Sequence, residues 1–251
     1  DGSVAIGYAA LNNHQQNLNT AIGFQSGKNC STGGNNTALG YNTLGGNNSN
    51  GLTGDNNTTI GHQAGRELQG AAESNVLIGK NSGLNMTTGA NNTIIGTNAG
   101  DALVDETHNV AIGTDALGGA SDVDQAVVVG SQAGTGAMTA NADGTVLMGY
   151  AAGASVTTAN GNTIIGYIAG TDLTTGGSNT IIGYQALTNA QTDVSNSTVI
   201  GWKAGQKLGD DGGSDHSEAN IIIGAGTMDG GHDTLANNTA NLNIAIGNNA
   251  L

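Results

Sequence analysis

The sequence contains no proline, one cysteine and only seven aromatic residues among its 251 residues. A single cysteine, Cys30, excludes an intrachain disulfide framework. Lys and Arg together number 5 against 19 acidic residues, which gives a formal net charge of −14. Because binding to nucleic acid or to an anionic membrane surface depends on clustered Lys and Arg, neither partner is expected. No apolar run comes near the roughly 18 residues of a membrane-spanning helix, so no membrane insertion is expected.

Glycine is abundant instead, with 44 residues, and much of it is periodic without the three-residue period of collagen. A glycine that follows an aliphatic residue recurs fourteen times, and we call it the repeat glycine. Six of the thirteen spacings between repeat glycines are 17 residues. The repeat glycines are Gly7, Gly23, Gly40, Gly61, Gly79, Gly96, Gly113, Gly130, Gly149, Gly166, Gly183, Gly201, Gly224 and Gly247. Such self-similarity is the signature of a stacked repeat architecture.

The residues before each repeat glycine form regular columns. The residue three before it is always β-branched, and the residue directly before it is Ile in eleven repeats. Asn stands four before it in ten repeats, as in Asn92 and Asn162. β-branched and aliphatic residues favour extended structure, whereas Asn and Gly favour turns. The pattern predicts an all-β protein whose coils of about 17 residues stack in parallel, each with two short strands, and an amide ladder along the Asn column.

The strands are apolar on both faces. Adjacent side chains of a strand point to opposite faces, and the two residues before the repeat glycine are both apolar in nearly every repeat. A thin coil has one interior, so another copy of the same chain is the simplest cover for the second face, in closed cyclic symmetry. The column directly before the glycine is assigned to the structural core, with Ile6, Ile22, Ile60, Ile78, Ile95, Ile112, Ile165, Ile182, Ile200, Ile223 and Ile246.

Short motifs in these repeats resemble those of known fibrous proteins. Asn109–Gly113 and Asn243–Gly247 read Asn-x-Ala-Ile-Gly, and together with Ser3–Gly7 they resemble the head repeats of trimeric autotransporter adhesins of the YadA-like type. The longer form in Thr175–Leu187 is similar to repeats of phage tail fibres. The resemblance covers nearly the whole chain and implies a left-handed parallel β-roll or β-solenoid of about fourteen coils, assembled as a homotrimer. It also implies attachment to a glycan or protein receptor, and an extracellular place on a cell surface or virion.

The repeats fill residues 1–251, which predicts a single repeat domain, expected to be a fragment of a longer fibre. Some repeats are longer than 17 residues, and we assign the extra length to four insertions: 45–56, 66–74, 206–219 and 229–242. Because loops often carry binding on repeat scaffolds, these insertions are expected to protrude and to form a recognition surface. The alternative is that they are tolerated decoration, since longer loops cost little entropy.

All seven aromatic residues stand directly after a repeat glycine. This aromatic column is either a structural ladder or an exposed stripe that contacts a glycan or a protein. The candidate receptor-contact residues come from this column and from two insertions. They are Tyr150, Tyr167, Tyr184, Trp202, Asp210, Asp211, Asp215, His216, Asp229 and His232.

Signals for catalysis or cofactors are weak. The acidic segment 210–218 weakly suggests calcium, but its spacing does not match an EF-hand and a solvated loop is the better interpretation. No zinc spacing, P-loop or nucleophile elbow is present, so no cofactor and no enzymatic activity are expected. Two alternatives stay open, a purely structural extracellular filament that stacks end to end and a polysaccharide depolymerase. The threonines three before the repeat glycines exchange with Val and Ile, which favours their burial and argues against an ice-binding face.

Overall fold

The computed structural model describes residues 2–15, 18–45, 50–189, 194–206, 208, 217–228 and 242–250. The chain divides into two compact units, Asp1–Gln125 and Ala126–Leu251. The described residues of both units form short strands joined by turns, with one 3-10 helix at Ala140–Ala142 and no α-helix. Each unit is an all-β parallel solenoid, which confirms the fold class predicted from the repeats.

Each unit contains seven strands of three residues, one before each repeat glycine. In the first unit they are β1 Val4–Ile6, β2 Thr20–Ile22, β3 Thr37–Leu39, β4 Thr58–Ile60, β5 Val76–Ile78, β6 Thr93–Ile95 and β7 Val110–Ile112. In the second unit they are β8 Val127–Val129, β9 Val146–Met148, β10 Thr163–Ile165, β11 Thr180–Ile182, β13 Thr198–Ile200, β15 Ile221–Ile223 and β16 Ile244–Ile246. The second unit also has two strands of two residues, β12 Val194–Ser195 and β14 Ser217–Glu218.

Within each unit, successive three-residue strands pair in parallel and in register. Strand β10 pairs with β11 so that Thr163–Ile165 lies opposite Thr180–Ile182, and each sequence column therefore becomes a row along the sheet. The same register joins β1 through β7 in the first unit and the three-residue strands of the second unit. Among the described residues, a second strand in the coil occurs only locally, as the β12–β14 pair and as isolated bridges between Cys30, Leu52 and Gly70.

The repeat glycines permit the close stacking of coils. Gly166 has a φ of +146°, and a Cβ on it would lie 2.2 Å from the carbonyl oxygen of Gly183 in the next coil. No side chain fits this approach, and a positive φ is strained for any residue other than glycine. The same contact recurs between successive repeat glycines along each unit, which explains why this column never varies.

The Asn column forms the predicted amide ladder inside the coils. The backbone N–H of Asn109 donates to Oδ1 of Asn92 at 2.9 Å. The Nδ2 of Asn92 donates to Oδ1 of Asn75 at 3.1 Å and to the backbone carbonyl of Glu106 at 2.8 Å, on another part of the coil wall. These side chains are fully buried, so the ladder satisfies backbone groups that have no access to water.

The interior of each coil is filled from the position two before the repeat glycine, not from the position directly before it. Ile164, Ile181 and Ile222 are fully buried at this interior position. The Ile column does not fill the interior of the single chain, so its assignment to the core stays a prediction for an assembly of several copies. Nine of its eleven members are half-buried, and Ile6 and Ile246 are 57% and 64% exposed. Since both positions are apolar, alternation alone could not tell which one faces inward.

One predicted insertion does not protrude. The stretch 66–74 contributes Leu68 and Ala72 to the buried interior, so it forms part of the coil wall. In 45–56, Leu52 is also buried, and residues 46–49 lie outside the described part of the chain. Most of 206–219 and nearly all of 229–242 lie outside it as well.

Candidate interaction surfaces

The outward face of each sheet consists of the residues three before and directly before the repeat glycines. In the first unit this face carries only Val, Thr, Ile and Leu, and in the second only Val, Thr, Ile and Met. Most of these side chains are half-buried, and none carries a charge although the chain has a net charge of −14. The threonines of this face, such as Thr163 and Thr180, are half-buried and outward-facing in the single chain, so their full burial stays a prediction for an assembly of several copies.

A stack of four rings follows the repeat glycines of the first unit. Tyr8 and Phe24 have ring centroids 5.3 Å apart, Phe24 and Tyr41 are 5.2 Å apart, and Tyr41 and His62 are 5.1 Å apart. The interplanar angles are 18°, 7° and 6°, so the rings lie nearly parallel. Each ring therefore holds its neighbours in place, and stacked pairs contribute about 0.5–1.5 kcal/mol each.

A second stack lies in the second unit and contains only tyrosines. Tyr150 and Tyr167 are 5.3 Å apart at 18°, and Tyr167 and Tyr184 are 5.3 Å apart at 6°. Trp202 occupies the same column one coil further, where the Nζ of Lys203 lies 4.8 Å from its ring centroid. These four aromatic candidates are exposed, with Tyr167 at 46%. The column is thus a ladder and an exposed stripe at once, and the two interpretations drawn from the sequence do not exclude each other.

The polar receptor-contact candidates cannot be placed on this surface. Asp210, Asp211, Asp215, His216, Asp229 and His232 all lie outside the described residues. The same holds for most of the acidic segment 210–218, so the suggested calcium site stays a prediction. In the described part of the chain, no group of three or more His, Cys, Asp or Glu side chains could hold a metal ion.

Glu106 is a buried ionisable group that the repeat pattern did not single out. It is only 4% exposed, at a position where most other coils carry Gly, Ala or Val. Burial raises the pKa of Glu106, and backbone N–H donors, including that of Val104, oppose the rise. Its Oε2 accepts the hydrogen bond from Val104, whereas its Oε1 is buried without a hydrogen-bond partner. The signal in the sequence was a charged residue in a column of mostly small apolar ones.

Two further groups titrate abnormally because they are shielded from water. Burial raises the pKa of Asp101, and the negative charge of Asp115 raises it further. Burial raises the pKa of the Cys30 thiol to about 12. None of these groups lies with a second reactive side chain in an arrangement that suggests nucleophilic catalysis, and the absence of enzymatic activity stays a prediction.

Within the described ranges, no helix is long and apolar enough to cross a membrane. Comparisons of the chain with family models, with curated proteins and with solved structures gave no match.

Proposed function

We propose that the chain is a structural and adhesive segment of a trimeric fibre, either a phage tail fibre or a bacterial adhesin head, that attaches to a receptor outside the cell. The single observation that carries this proposal is the uncharged outward face of the two sheets. Exposed apolar patches larger than a few hundred Å² mark interaction sites on soluble proteins, and this face extends over seven strands in each unit.

A second copy of the same chain fits this face better than an unrelated partner. The rows at the outward face repeat with every coil, so a parallel copy presents the same rows at the same spacing. Charged residues are depleted at the centres of protein interfaces, as they are on this face. Closed cyclic assembly lets every copy cover its outward face with the same surface. The copy number of three and the left-handed coil follow from the resemblance to adhesin head repeats.

The aromatic column is the proposed contact surface for the receptor. Tyr150, Tyr167 and Tyr184 are exposed, and stacking fixes the orientation of their rings before any ligand arrives. Rigid Tyr and Trp side chains provide large amphipathic contact areas at a low entropic cost. Trp202 extends the same column, so a cell-surface glycan or protein would meet four aromatic side chains in a row.

The attachment proposal is tested by binding of the fluorescently labelled chain to bacterial and animal cells and to a glycan array. We expect binding to at least one surface, and a loss of at least tenfold in affinity when Tyr167→Ser and Tyr184→Ser are combined. Thr97→Ser and Thr114→Ser change the same column where it is not aromatic, and this control pair should bind normally. Circular dichroism verifies that both pairs keep their β structure.

Two other outcomes would favour the alternative functions. A chain that assembles but binds no surface is better described as a purely structural filament subunit. The release of reducing ends from capsular polysaccharides would instead favour a depolymerase.

A further inference from the structure

The two aromatic ladders differ in one respect that matters for chemistry. In the second unit, three tyrosines occupy successive coils, with ring centroids 5.3 Å apart at both steps. In the first unit, Phe24 separates Tyr8 from Tyr41, and His62 occupies the next coil. Two phenol rings are therefore direct neighbours only in the second unit, within the described part of the chain.

We propose that Tyr150, Tyr167 and Tyr184 form an oxidative cross-linking site, at which hydrogen peroxide and a haem peroxidase join neighbouring tyrosines as dityrosine. The three rings are 43%, 46% and 45% exposed, so an oxidant in solution reaches them. The ladder holds each phenol beside the next one, which replaces a collision between two radicals by a reaction inside one chain. These are the same tyrosines that we propose as receptor contacts, but the cross-linking needs only their exposure and their spacing and does not depend on a receptor.

The chemistry balances with peroxide as the oxidant. Each of two tyrosines loses one electron and its phenolic proton, which gives two phenoxyl radicals. The radicals form one C–C bond between ortho carbons, and the hydrogen on each of these carbons moves to the phenolic oxygen as the rings regain aromaticity. Overall, two tyrosines and one H₂O₂ give one dityrosine and two water molecules.

The ring arrangement allows the bond to form with side-chain motion alone. Strands β10 and β11 are adjacent and in register, so the backbones that carry Tyr167 and Tyr184 are neighbours. The modest stacking energy of each pair holds the rings side by side most of the time, and brief rotations of an exposed side chain out of the stack bring the ortho carbons of adjacent rings together. The product ties two successive coils covalently, outside the buried interior. Stapled coils resist unwinding, a useful property for a fibre segment exposed to mechanical load.

The test treats the dilute full chain with a haem peroxidase and hydrogen peroxide, followed by dityrosine fluorescence, intact mass and peptide mapping. We expect a mass lower by two hydrogen atoms per link, and links between Tyr150 and Tyr167 or between Tyr167 and Tyr184 within one chain. Oxidation of the exposed Met148 adds an oxygen atom and is distinguished by its mass.

Two variants use the first ladder as an internal control. Tyr167→Phe leaves two tyrosines on either side of a phenylalanine, as in the first unit, and should abolish links in the second unit. Phe24→Tyr should create links in the first unit, where the natural chain forms none. The proposal is overturned if the treated chain contains no dityrosine, if Tyr8 and Tyr41 are linked as readily as the second ladder, or if links form only between different chains.

Discussion

Gly100 and Leu103 share one volume inside their coil. A Cβ on Gly100 would lie 2.9 Å from Cδ1 of Leu103, so only one of the two positions can carry a large side chain. In the next coil of the first unit the roles are exchanged, because Leu117 and Ala120 stand at the same distances after their repeat glycine and both are fully buried. In these two coils the interior is thus filled by compensation between two positions, as close packing requires.

This compensation predicts a rescue by a double substitution. Leu103→Ala alone should lower the free energy of unfolding by roughly 2–5 kcal/mol through a cavity. Gly100→Leu alone should lower it by roughly 1–3 kcal/mol through overpacking, with about 1–2 kcal/mol more from its left-handed φ. The double variant reproduces the arrangement of Leu117 and Ala120, so its loss in chemical denaturation should be clearly smaller than the sum. Additive losses would show that the two positions do not share a volume.

The repeat glycines give a second stability prediction with a matched control. Gly166→Ala places a Cβ 2.2 Å from the carbonyl oxygen of Gly183, which forces the coils apart, and should cost more than about 3 kcal/mol. Gly161 also has a positive φ, but a Cβ there has only the Ser178 Oγ as a neighbour, at 3.9 Å. Gly161→Ala should therefore cost only the backbone strain of about 1–2 kcal/mol. Equal losses of melting temperature in the two variants would contradict the stacking role of Gly166.

Much of the fold could be predicted from residue columns, because identical coils must place identical chemistry at each level. The Asn and Gly that enclose Thr163–Ile165 defined this strand to the residue. The direction of its side chains could not be predicted, since Ile164 and Ile165 are equally apolar. A usable signal was present, because the interior position tolerates Ala, as in Ala21 and Ala111, whereas the outward position is nearly always Ile.

The left-handed turn two residues after each repeat glycine was also missed. Ile168 has a φ of +54° and Lys203 a φ of +53°, although neither residue favours this conformation. The tertiary stacking of coils imposes the turn, so residue type at this position predicts it in only some of the repeats. For the candidate site, the aromatic column was evident from its spacing, but the ring stacking and its interruption at Phe24 depend on side-chain orientation.

Glu106 should make stability depend on pH. Because burial raises the pKa of Glu106 in the folded state, the folded chain holds the proton more tightly than the unfolded chain. Its contribution to stability is therefore greatest at acidic pH and declines as the pH rises through the interval between the unfolded and folded pKa values. Each unit of pKa shift corresponds to about 1.4 kcal/mol.

The measurement is the free energy of unfolding from pH 4 to pH 8 for the natural chain and for Glu106→Gln. The natural chain should lose stability relative to the variant as the pH rises across this range. Asp101, whose pKa is also raised, is present in both proteins. The difference between their free energies of unfolding therefore reports on Glu106 alone. A difference that is constant with pH, or that changes in the opposite direction, would be inconsistent with a buried carboxyl at this position.

Cys30 should report on unfolding of the first unit. Its thiol is fully buried and has a pKa of about 12, so almost no thiolate is present at neutral pH. A thiol reagent should modify it only in denaturant, with a midpoint that matches circular dichroism. In a Cys30→Ala background, Thr114→Cys places a thiol at an exposed position and should react at once without denaturant. Rapid modification of Cys30 in the native chain would show that its coil opens readily.

We expect copies of the chain to cover the outward face, and native mass from light scattering after size exclusion is the test of that claim. The natural chain should elute at three times 24.6 kDa. Ile165→Asp places a charge on the outward face and should give a folded single chain, whereas Ile164→Asp buries the charge inside the coil and should abolish the fold. A natural chain that stays folded at 24.6 kDa at every concentration would contradict the claim, and would make the bare threonine-rich face a candidate for ice binding.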